Sequence, residues 1–413
     1  MPLMNLGMKT TSPYGVTFLV CLAEILGLAP IATFPALLPD FQGLWNLSHT
    51  KAGWISAAYY GGYMLCVPVL AGIMDRLDAR KVMGAGTFLG ILTAIGYSAL
   101  ASGFWSALLL RVLAGASLAG IYMPGLKVVS DHTEGELQSR FVSFYTASFS
   151  IGASLSYLMA GEINAAFGWR AAFAASAGTT ALAMVILLFF VPGARVIRQK
   201  ERALFKDFRV VLRCRPAMAY VLAYAAHMWE LFSLRSWIVA FLVFSVKLQP
   251  QGMWILSPTQ VAFWVNLIGL PASIGGNELA RRLGRPRVVK GVMITSALIG
   301  ACIGFTAAMP YLFVVFLVMF YGIAVTADSA SLTAGAVGAA PKNYRGATLA
   351  VHSTLGFGAA FLGPLSIGPV LDLFNGGVLA WGMGFVVMAA GCATGPFFIN
   401  RLTSRGPAEH ATS

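Results

Sequence analysis

Apolar stretches long enough to cross a lipid bilayer recur along the whole chain, and no other feature constrains the fold as strongly. A membrane-spanning helix needs about 20 mostly apolar residues. Only 10% of the residues are charged, whereas a soluble domain has about 25%. The chain therefore has too few charged residues to cover the surface of a soluble fold of this size. Unpaired backbone groups are costly in lipid, and the alternating segments of a membrane barrel are missing. The sequence therefore predicts an all-α membrane protein.

Twelve membrane-spanning helices are predicted, and we number them as spans 1 to 12. An even number of spans places both termini on the same side of the membrane. Their boundaries are 15–38, 52–74, 82–102, 104–127, 141–163, 171–192, 217–246, 259–280, 288–308, 310–336, 347–371 and 377–399.

The distribution of basic residues predicts which side that is. Twenty-three of the 28 Lys and Arg residues lie at the termini or in the loops on their side, and two lie within spans. Only Lys51, Arg170 and Lys247 lie on the opposite side. Basic loops face the cytoplasm in membrane proteins. Both termini are therefore predicted to be cytoplasmic.

The chain is predicted to consist of two six-span halves, residues 1–193 and 216–413, joined by a basic linker at 194–215 that lies near anionic lipid headgroups. The motif WNLSHT at 45–50 recurs as WILSPT at 254–259, and each copy offers a Ser and a Thr to cap the next span. Glu24 precedes Glu230 by 206 positions, and Arg76 precedes Arg282 by the same offset. A shared offset indicates duplication, with the two halves related by an axis along the membrane normal.

Several motifs lie in the loops and spans where one transporter family carries them. The loop after span 2 reads AGIMDRLDARK, and the loop after span 8 reads NELARRLGRPRV, while span 4 contains Arg111 and Gly115 and FGWRAAF leads into span 6. With these motifs the sequence resembles the major facilitator superfamily, of the bacterial twelve-helix type, over essentially its whole length. Residues that match the loop motif are Asp75, Arg76 and Arg80 in the first copy and Arg282 and Arg285 in the second; Ala71, Asp78, Ala79 and Arg281 depart from it.

The loop after span 2 is predicted to be a gating motif. Asp75 and Arg76 lie where span 2 meets the cytoplasm, so their charges can pair with each other or with neighbouring helix ends. Such a contact could break and reform during a conformational cycle. The alternative is a solvated positive loop with incidental pairing.

Ionisable residues within the membrane occur in four spans. Glu24 lies in span 1, Arg111 in span 4, Glu230 and Arg235 in span 7, and Asp328 in span 10, whereas spans 3, 6, 9 and 12 have none in their interiors. A charge in lipid costs about 3 kcal/mol or more, so these residues should face protein or a water-filled cavity. The family resemblance implies that spans 1, 4, 7 and 10 line the central cavity.

Glu24 is predicted to carry a proton, with Arg111 tuning its proton affinity, as the resemblance to proton-coupled members implies. The alternative is a structural ion pair between the two. Glu230 is predicted to contact substrate at a depth similar to that of Glu24, on the opposite side of the cavity. His227 shares a face with Glu230, and Tyr122 could line the cavity, but each is also compatible with ordinary helix packing.

We predict a proton-coupled secondary transporter that moves a small polar or anionic organic solute by alternating access, because Arg111 and Arg235 supply fixed cations. A cationic or zwitterionic solute, an efflux pump for amphipathic drugs or metabolites, and a non-transporting solute sensor are the alternatives. The sequence has no phosphate-binding loop, HExxH helix or GxSxG turn, and its five cysteines have no metal-binding spacing. We therefore predict no enzyme activity, no cofactor and no metal.

The expected partners follow from the same reading. They are the solute, protons and membrane lipids. Nucleic acid is excluded because the basic residues are scattered among loops. We predict a monomer in the bacterial inner membrane.

Overall fold

A computed structural model describes residues 12–74, 76–193, 204–249 and 256–403. Within these ranges the chain forms helices and no strands. The helices are α1 (Pro13–Gly27), α2 (Thr33–Ala36), α3 (Leu38–Leu44), α4 (His49–Met74), α5 (Ala79–Leu100), α6 (Phe104–Asp131), α7 (Gly135–Phe167), α8 (Trp169–Phe190), α9 (Leu204–Arg213), α10 (Arg215–Lys247), α11 (Pro258–Leu283), α12 (Arg285–Ile303), the 3₁₀ turn η1 (Gly304–Thr306), α13 (Tyr311–Thr326), α14 (Ser329–Gly338), α15 (Arg345–Leu373) and α16 (Val378–Thr403).

The predicted all-α membrane architecture is confirmed. Nine helical segments in the described ranges are long and apolar enough to cross a membrane. Every predicted span falls on one or more helices, including α7 and α11, which are 33 and 26 residues long. The division into halves stays a prediction, and most of its linker, residues 194–203, lies outside the described residues.

Span 1 is interrupted between α1 and α2, at residues 28–32. Pro30 lies in this break, and the amide of Ala32 donates to Ser156 Oγ on α7 at 3.0 Å. The hydroxyl groups of Thr33 and Ser156 both donate to the carbonyl of Ala29. Neighbouring hydroxyl groups thus satisfy backbone groups that helix geometry would otherwise pair, which is how a break survives within a membrane.

Span 10 is interrupted between α13 and α14, at residues 327–328. The amide of Ala330 donates to Ser273 Oγ on α11 at 3.2 Å. Gly276 on α11 packs directly on the break, because a Cβ atom at this position would lie 1.9 Å from the carbonyl oxygen of Ala327. Both breaks therefore depend on a specific neighbouring helix.

Small residues bring α4 and α6 into direct backbone contact. A Cβ atom at Gly62 would lie 2.1 Å from the carbonyl oxygen of Val112, and one at Gly115 would lie 1.8 Å from that of Tyr59. Such close approach is typical of helices that pack within membranes. It fixes Arg111, in α6, beside the aromatic residues of α4.

We define the far face as the end of the bundle where α4 and α11 begin and α7 and α15 end, and the terminal face as the opposite end. At the far face α4 packs on α15, and α7 packs on α11. Gly53 lies against the carbonyl of Pro364, and Gly161 lies against Thr259. Helices from before and after the linker therefore close the bundle at the far face.

The serine of each repeated motif caps its helix at this face, as predicted, whereas the threonine hydroxyl groups have other partners. Ser48 Oγ accepts a hydrogen bond from the amide of Lys51 in the first turn of α4. Ser257 Oγ accepts one from the amide of Gln260 in the first turn of α11 and forms a capping box with it.

Candidate functional site

Arg111 is a buried cation with unused hydrogen-bonding capacity. Its side chain is 1% exposed, and Nη1 donates to the carbonyl of Ile31, in the span 1 break, at 3.3 Å. The guanidinium carbon lies 4.1 Å from the ring centre of Tyr59 and 5.6 Å from that of Phe34. Nε and Nη2 have no hydrogen-bond partner among the described residues. The site is thus equipped to bind an anion.

Glu24 does not contact Arg111, contrary to the predicted pair. Its Oε2 accepts a hydrogen bond from Ser148 Oγ on α7. The physical reason is the break in span 1, because Glu24 lies in α1 before the break whereas Arg111 binds Ile31 within it. The two charged groups therefore have different partners.

Arg235 is the second cation of the site. Its Nε donates to Asn266 Oδ1 at 2.8 Å, and its guanidinium carbon lies 5.1 Å from the ring centre of Phe232 and 5.9 Å from that of Phe149. Arg235 and Asn266 line a small cavity together with Leu231, Leu234, Ile238, Val265, Gly322 and Thr326.

A row of aromatic rings joins the two cations. Tyr59, beneath Arg111, lies 5.6 Å from Tyr60, and Tyr60 lies 4.6 Å from Phe232, beneath Arg235. The row crosses from α4 to α10 and so connects the two sides of the bundle. A cation over an aromatic ring is stabilised without a counter-ion. Both guanidinium groups therefore remain able to bind an anion.

Glu230 faces away from this row. Its Oε1 accepts from Tyr321 Oη and its Oε2 from Ser296 Oγ, both at 2.9 Å. These partners lie on α12 and α13, whereas Glu24 bonds to α7. The two repeat-related carboxylates therefore have non-equivalent surroundings, and neither bonds to Arg111 or Arg235 in the described structure.

His227 contacts Asp328 rather than Glu230. His227 Nδ1 lies 2.8 Å from Asp328 Oδ1, and both side chains are buried. Asp328 occupies the break in span 10. The three-residue spacing between His227 and Glu230 does place them one turn apart on α10, but they bind partners on different elements.

Tyr122 takes part in an aromatic cluster. Its ring lies 5.8 Å from Tyr145 and 5.4 Å from Phe149, and Phe149 in turn lies near Arg235. Tyr122 is therefore connected to the site through aromatic packing.

The predicted gating motif lies at the terminal face. Asp75 lies outside the described residues, and Arg76 is exposed. Arg80 Nη1 donates to the carbonyl of Val191 at 2.6 Å, where α8 ends, a favourable place for a cation. Asp78, which replaces the family's glycine, caps α5 by accepting from the amide of Arg80 at 3.0 Å.

In the second copy of the loop motif, the arginines pair with an acid from a different position. Arg281 occupies the place of the expected acid, but both Arg281 and Arg282 pair with Glu278 at 3.0 Å, three and four residues earlier on α11. Arg285 begins α12. These pairs are exposed, so they contribute little stability.

The far-face contacts include residues that sequence reasoning missed. Asp372, at the end of α15, accepts from the amides of His49 and Thr50 at 2.9 and 2.8 Å and from Thr50 Oγ1 at 2.6 Å. His49 Nδ1 lies 2.9 Å from the same carboxylate. In the other helix pair at this face, α7 and α11, Gln260 Nε2 donates to Glu162 at 2.9 Å. Each contact places an acid of one side at a helix N-terminus of the other, where it is stabilised.

The sequence offers one signal for these contacts. Both helix N-termini lie in the repeated W-x-L-S-x-T motif. The acids that meet them are distant in sequence and carry no motif of their own.

The sequence model of the Major Facilitator Superfamily matches residues 15–364. The chain belongs to this family. Among curated relatives it is 24% identical to human protein spinster homolog 1 over 55% of this chain and 45% of that protein. It is 26% identical to an Arabidopsis thaliana probable sphingolipid transporter, spinster homolog 1, over 36% and 30%, and 22% identical to the niacin transporter NiaP of Acinetobacter baylyi over 62% and 63%.

The alignments cover half or less of the spinster proteins' own length. A solved bacterial homologue of the human lysosomal transporter Spinster, in an inward-facing and occupied conformation, gives a TM-score of 0.76 at 15% identity, covering 97% of this chain and all 100% of that one. This likeness confirms the predicted facilitator fold. The chain is thus an integral membrane protein of a transporter family.

Proposed function

We propose that this facilitator is a secondary active transporter of a small organic anion, with Arg111 as its principal anion-binding group. One observation carries the proposal: a guanidinium group that is 1% exposed keeps Nε and Nη2 without a hydrogen-bond partner among the described residues. Leaving a buried charge unpaired is costly. A carboxylate that accepts from both nitrogens would remove that cost, since the fork of donors matches its geometry.

Arg235 and the ring row supply the remaining contacts for such a solute. Arg235 faces a small cavity that is otherwise mostly apolar. A solute with one carboxylate and an apolar or aromatic body suits two cations that lie over aromatic rings. The similarity to a protein named as a niacin transporter supports this class, because niacin is an aromatic monocarboxylate.

The closed far face supports alternating access. If the termini are cytoplasmic, as the basic residues predict, the far face is the outer face, and the structure corresponds to a state closed to the outside. We propose that the protein works as a monomer among the lipids of a bacterial inner membrane, and that protons are the coupling ion.

The experiment is uptake into proteoliposomes with an imposed proton gradient. Radiolabelled nicotinate and benzoate are the probes, and amides of the same ring compounds are the uncharged comparison. We expect accumulation of a carboxylate but not of its amide. Equal uptake of both, or uptake of neither, would refute the anion class.

Binding to variants tests the role of Arg111. Arg111→Gln should weaken carboxylate binding about 10- to 100-fold, since a hydrogen bond to a charged group contributes about 1.5–3 kcal/mol. Arg140→Gln is the matched control, because Arg140 is exposed and lies over Phe144 rather than at the site. Wild-type affinity in Arg111→Gln would remove Arg111 from the site.

A second candidate is the export of an amphipathic lipid with an anionic headgroup. The similarity to spinster proteins favours it, one of which is named as a probable sphingolipid transporter. Transport of lysophosphatidic acid in the same assay distinguishes this candidate from a transporter of small organic anions. Preference for the lipid over nicotinate and benzoate would select this candidate, and Arg111 would then bind the headgroup.

A further inference from the structure

A buried histidine and a buried aspartate meet where a membrane-spanning helix is broken. His227, in the middle of α10, is 1% exposed, and Asp328, between α13 and α14, is 2% exposed. His227 Nδ1 lies 2.8 Å from Asp328 Oδ1, at ion-pair distance but without hydrogen-bond alignment. Nε2 of the same ring has no hydrogen-bond partner among the described residues. One ring nitrogen thus faces the acid while the other is unused.

The break itself is held from two sides. On one side α11 offers only neutral groups, with Ser273 accepting from the amide of Ala330 and Gly276 packing on the carbonyl of Ala327. On the other side α10 offers His227. The contact between His227 and Asp328 is therefore the part of the break whose strength depends on protonation.

The other titratable groups near the pair have partners of their own. Tyr224, on α10, stacks on His352 of α15 at 3.7 Å and lies 5.8 Å from His227. His352 Nε2 lies 3.3 Å from Thr333 Oγ1. In the described ranges Asp328 has no ion-pair contact with a lysine or arginine.

Glu230 and Cys392 are the remaining titratable groups in this region. Both carboxylate oxygens of Glu230 accept from hydroxyl groups, those of Ser296 and Tyr321. The Cys392 thiol points to the carbonyl of Met293. His227 is therefore the basic side chain that remains as a partner for Asp328.

We propose that His227 and Asp328 form the site that holds the coupling proton. The inference rests on the proposed secondary transport and assigns its coupling ion to this pair instead of Glu24. A proton from hydronium adds to the lone pair of His227 Nε2, so that one N–H bond forms, one O–H bond breaks and a water molecule is left. The net charge of the pair changes from −1 to zero, because an imidazolium then lies beside a carboxylate. Release of the proton reverses the step.

The charge change acts on the helix break. A neutral pair can stay buried, whereas a buried pair with a net negative charge is penalised by desolvation. After proton loss, Asp328 is drawn toward water, and α14 can move relative to α13 at the residue that already interrupts the helix. Histidine suits this role because its charge changes between about pH 5 and 8.

Glu24 is the competing site, and its surroundings differ. It shares a hydrogen bond with Ser148 and lies in the continuous part of α1, before the break. A change in its charge would act on a helix interior rather than on a break.

The transport experiment compares accumulation with exchange. In proteoliposomes that accumulate nicotinate or benzoate, His227→Gln and Asp328→Asn should lose proton-driven accumulation, so that the inside and outside concentrations become equal, while counterflow exchange continues. Glu24→Gln should keep accumulation. His132→Gln and Asp131→Asn, at the end of α6 and outside the site, are the matched controls. Accumulation at the wild-type level in His227→Gln would overturn the assignment.

A second measurement needs no substrate and no variant that must transport. Nitrogen NMR of the wild-type protein with labelled histidine should show a buried histidine signal that changes with pH, and the loss of this signal in His227→Gln would assign it. A His227 signal that does not change with pH would overturn the proton site. If His227 titrates but no carboxylate accumulates in the wild type, the proposed function fails while the proton site stands.

Discussion

In the described part of the chain, spans 1 and 10 are interrupted, and the two breaks carry different chemistry. Span 1 breaks between α1 and α2, where the carbonyl of Ile31 accepts from Arg111. Span 10 breaks between α13 and α14, where Asp328 meets His227. Arginine stays charged at any physiological pH, whereas histidine gains and loses a proton there. The comparison teaches that one helical bundle can hold a permanently charged group at one break and a group whose charge depends on protonation at another. The first suits binding of an anionic solute, and the second suits binding of a proton.

The predicted repeat does not explain this arrangement. In that repeat span 1 corresponds to α10, which is a continuous helix of 33 residues, and span 10 corresponds to α6, which is continuous over 28 residues. The two breaks therefore fall at positions that the predicted repeat does not relate. The following predictions test whether the two breaks are as different as their residues indicate.

The largest expected effect comes from filling the space beside the span 10 break. Gly276→Ala should destabilise the protein by about 3 kcal/mol, because overpacking against backbone forces a shift and the new Cβ atom would lie 1.9 Å from the carbonyl oxygen of Ala327. Gly275→Ala is the matched control, since no atom lies within 4 Å of its Cβ position. Thermal unfolding in detergent measures both. Equal melting temperatures would mean that α11 does not hold the break.

The two charged groups should respond to removal with opposite signs. Arg111→Met should stabilise the substrate-free protein by about 2 kcal/mol, because replacing a buried unpaired charge with an apolar group removes a desolvation cost. Asp328→Asn should destabilise it by about 2 kcal/mol, because the buried ring of His227 loses its charged partner. Melting temperatures in the absence of solute test this. A change of the same sign in both variants would contradict the distinction between the breaks.

The neutral hydroxyl contacts at the two breaks differ in number, which sharpens the comparison. Ser273→Ala removes the acceptor for the amide of Ala330. Ser156→Ala removes both the acceptor for the amide of Ala32 and the donor to the carbonyl of Ala29. Because a polar contact within a membrane is worth about 1 kcal/mol, we expect a loss of about 1 kcal/mol for Ser273→Ala and about 2 kcal/mol for Ser156→Ala. Equal losses in the same unfolding assay would show that the second hydrogen bond of Ser156 adds no stability.

The smallest effect is expected at the far face, away from both breaks. Asp372→Asn keeps only one of the two acceptor oxygens at the start of α4, and it removes the negative charge at this N-terminus, which is worth about 0.5 kcal/mol. The open population should rise about twofold or more, seen in spin-label distances between Lys51→Cys and Leu373→Cys. Asp40→Asn is the control, because Asp40 bonds to Asn164, and both residues precede the linker. An unchanged distance distribution would exclude Asp372 from closure.

Sequence reasoning located the buried charges but paired them incorrectly. Arg111, Glu230 and Asp328 are all buried, as residues within membrane spans should be. The sequence predicts Arg111 beside Glu24, yet Arg111 contacts Ile31 within the break of span 1, whereas Glu24 lies before the break and contacts Ser148. The spacing of His227 and Glu230 indicates a shared helix face, but Asp328, about 100 positions later, is the partner of His227.

The sequence by itself determined the membrane fold, since an apolar stretch of about 20 residues can satisfy its backbone in lipid only as a helix. It also determined the family and the burial of the charges within the spans, which depend on local order along the chain. Only the tertiary structure decided how each break is stabilised and which charges meet. Those depend on side chains from other helices, such as Ser156 at the first break and Ser273 at the second, and no local pattern records which distant residue will supply the missing hydrogen bond.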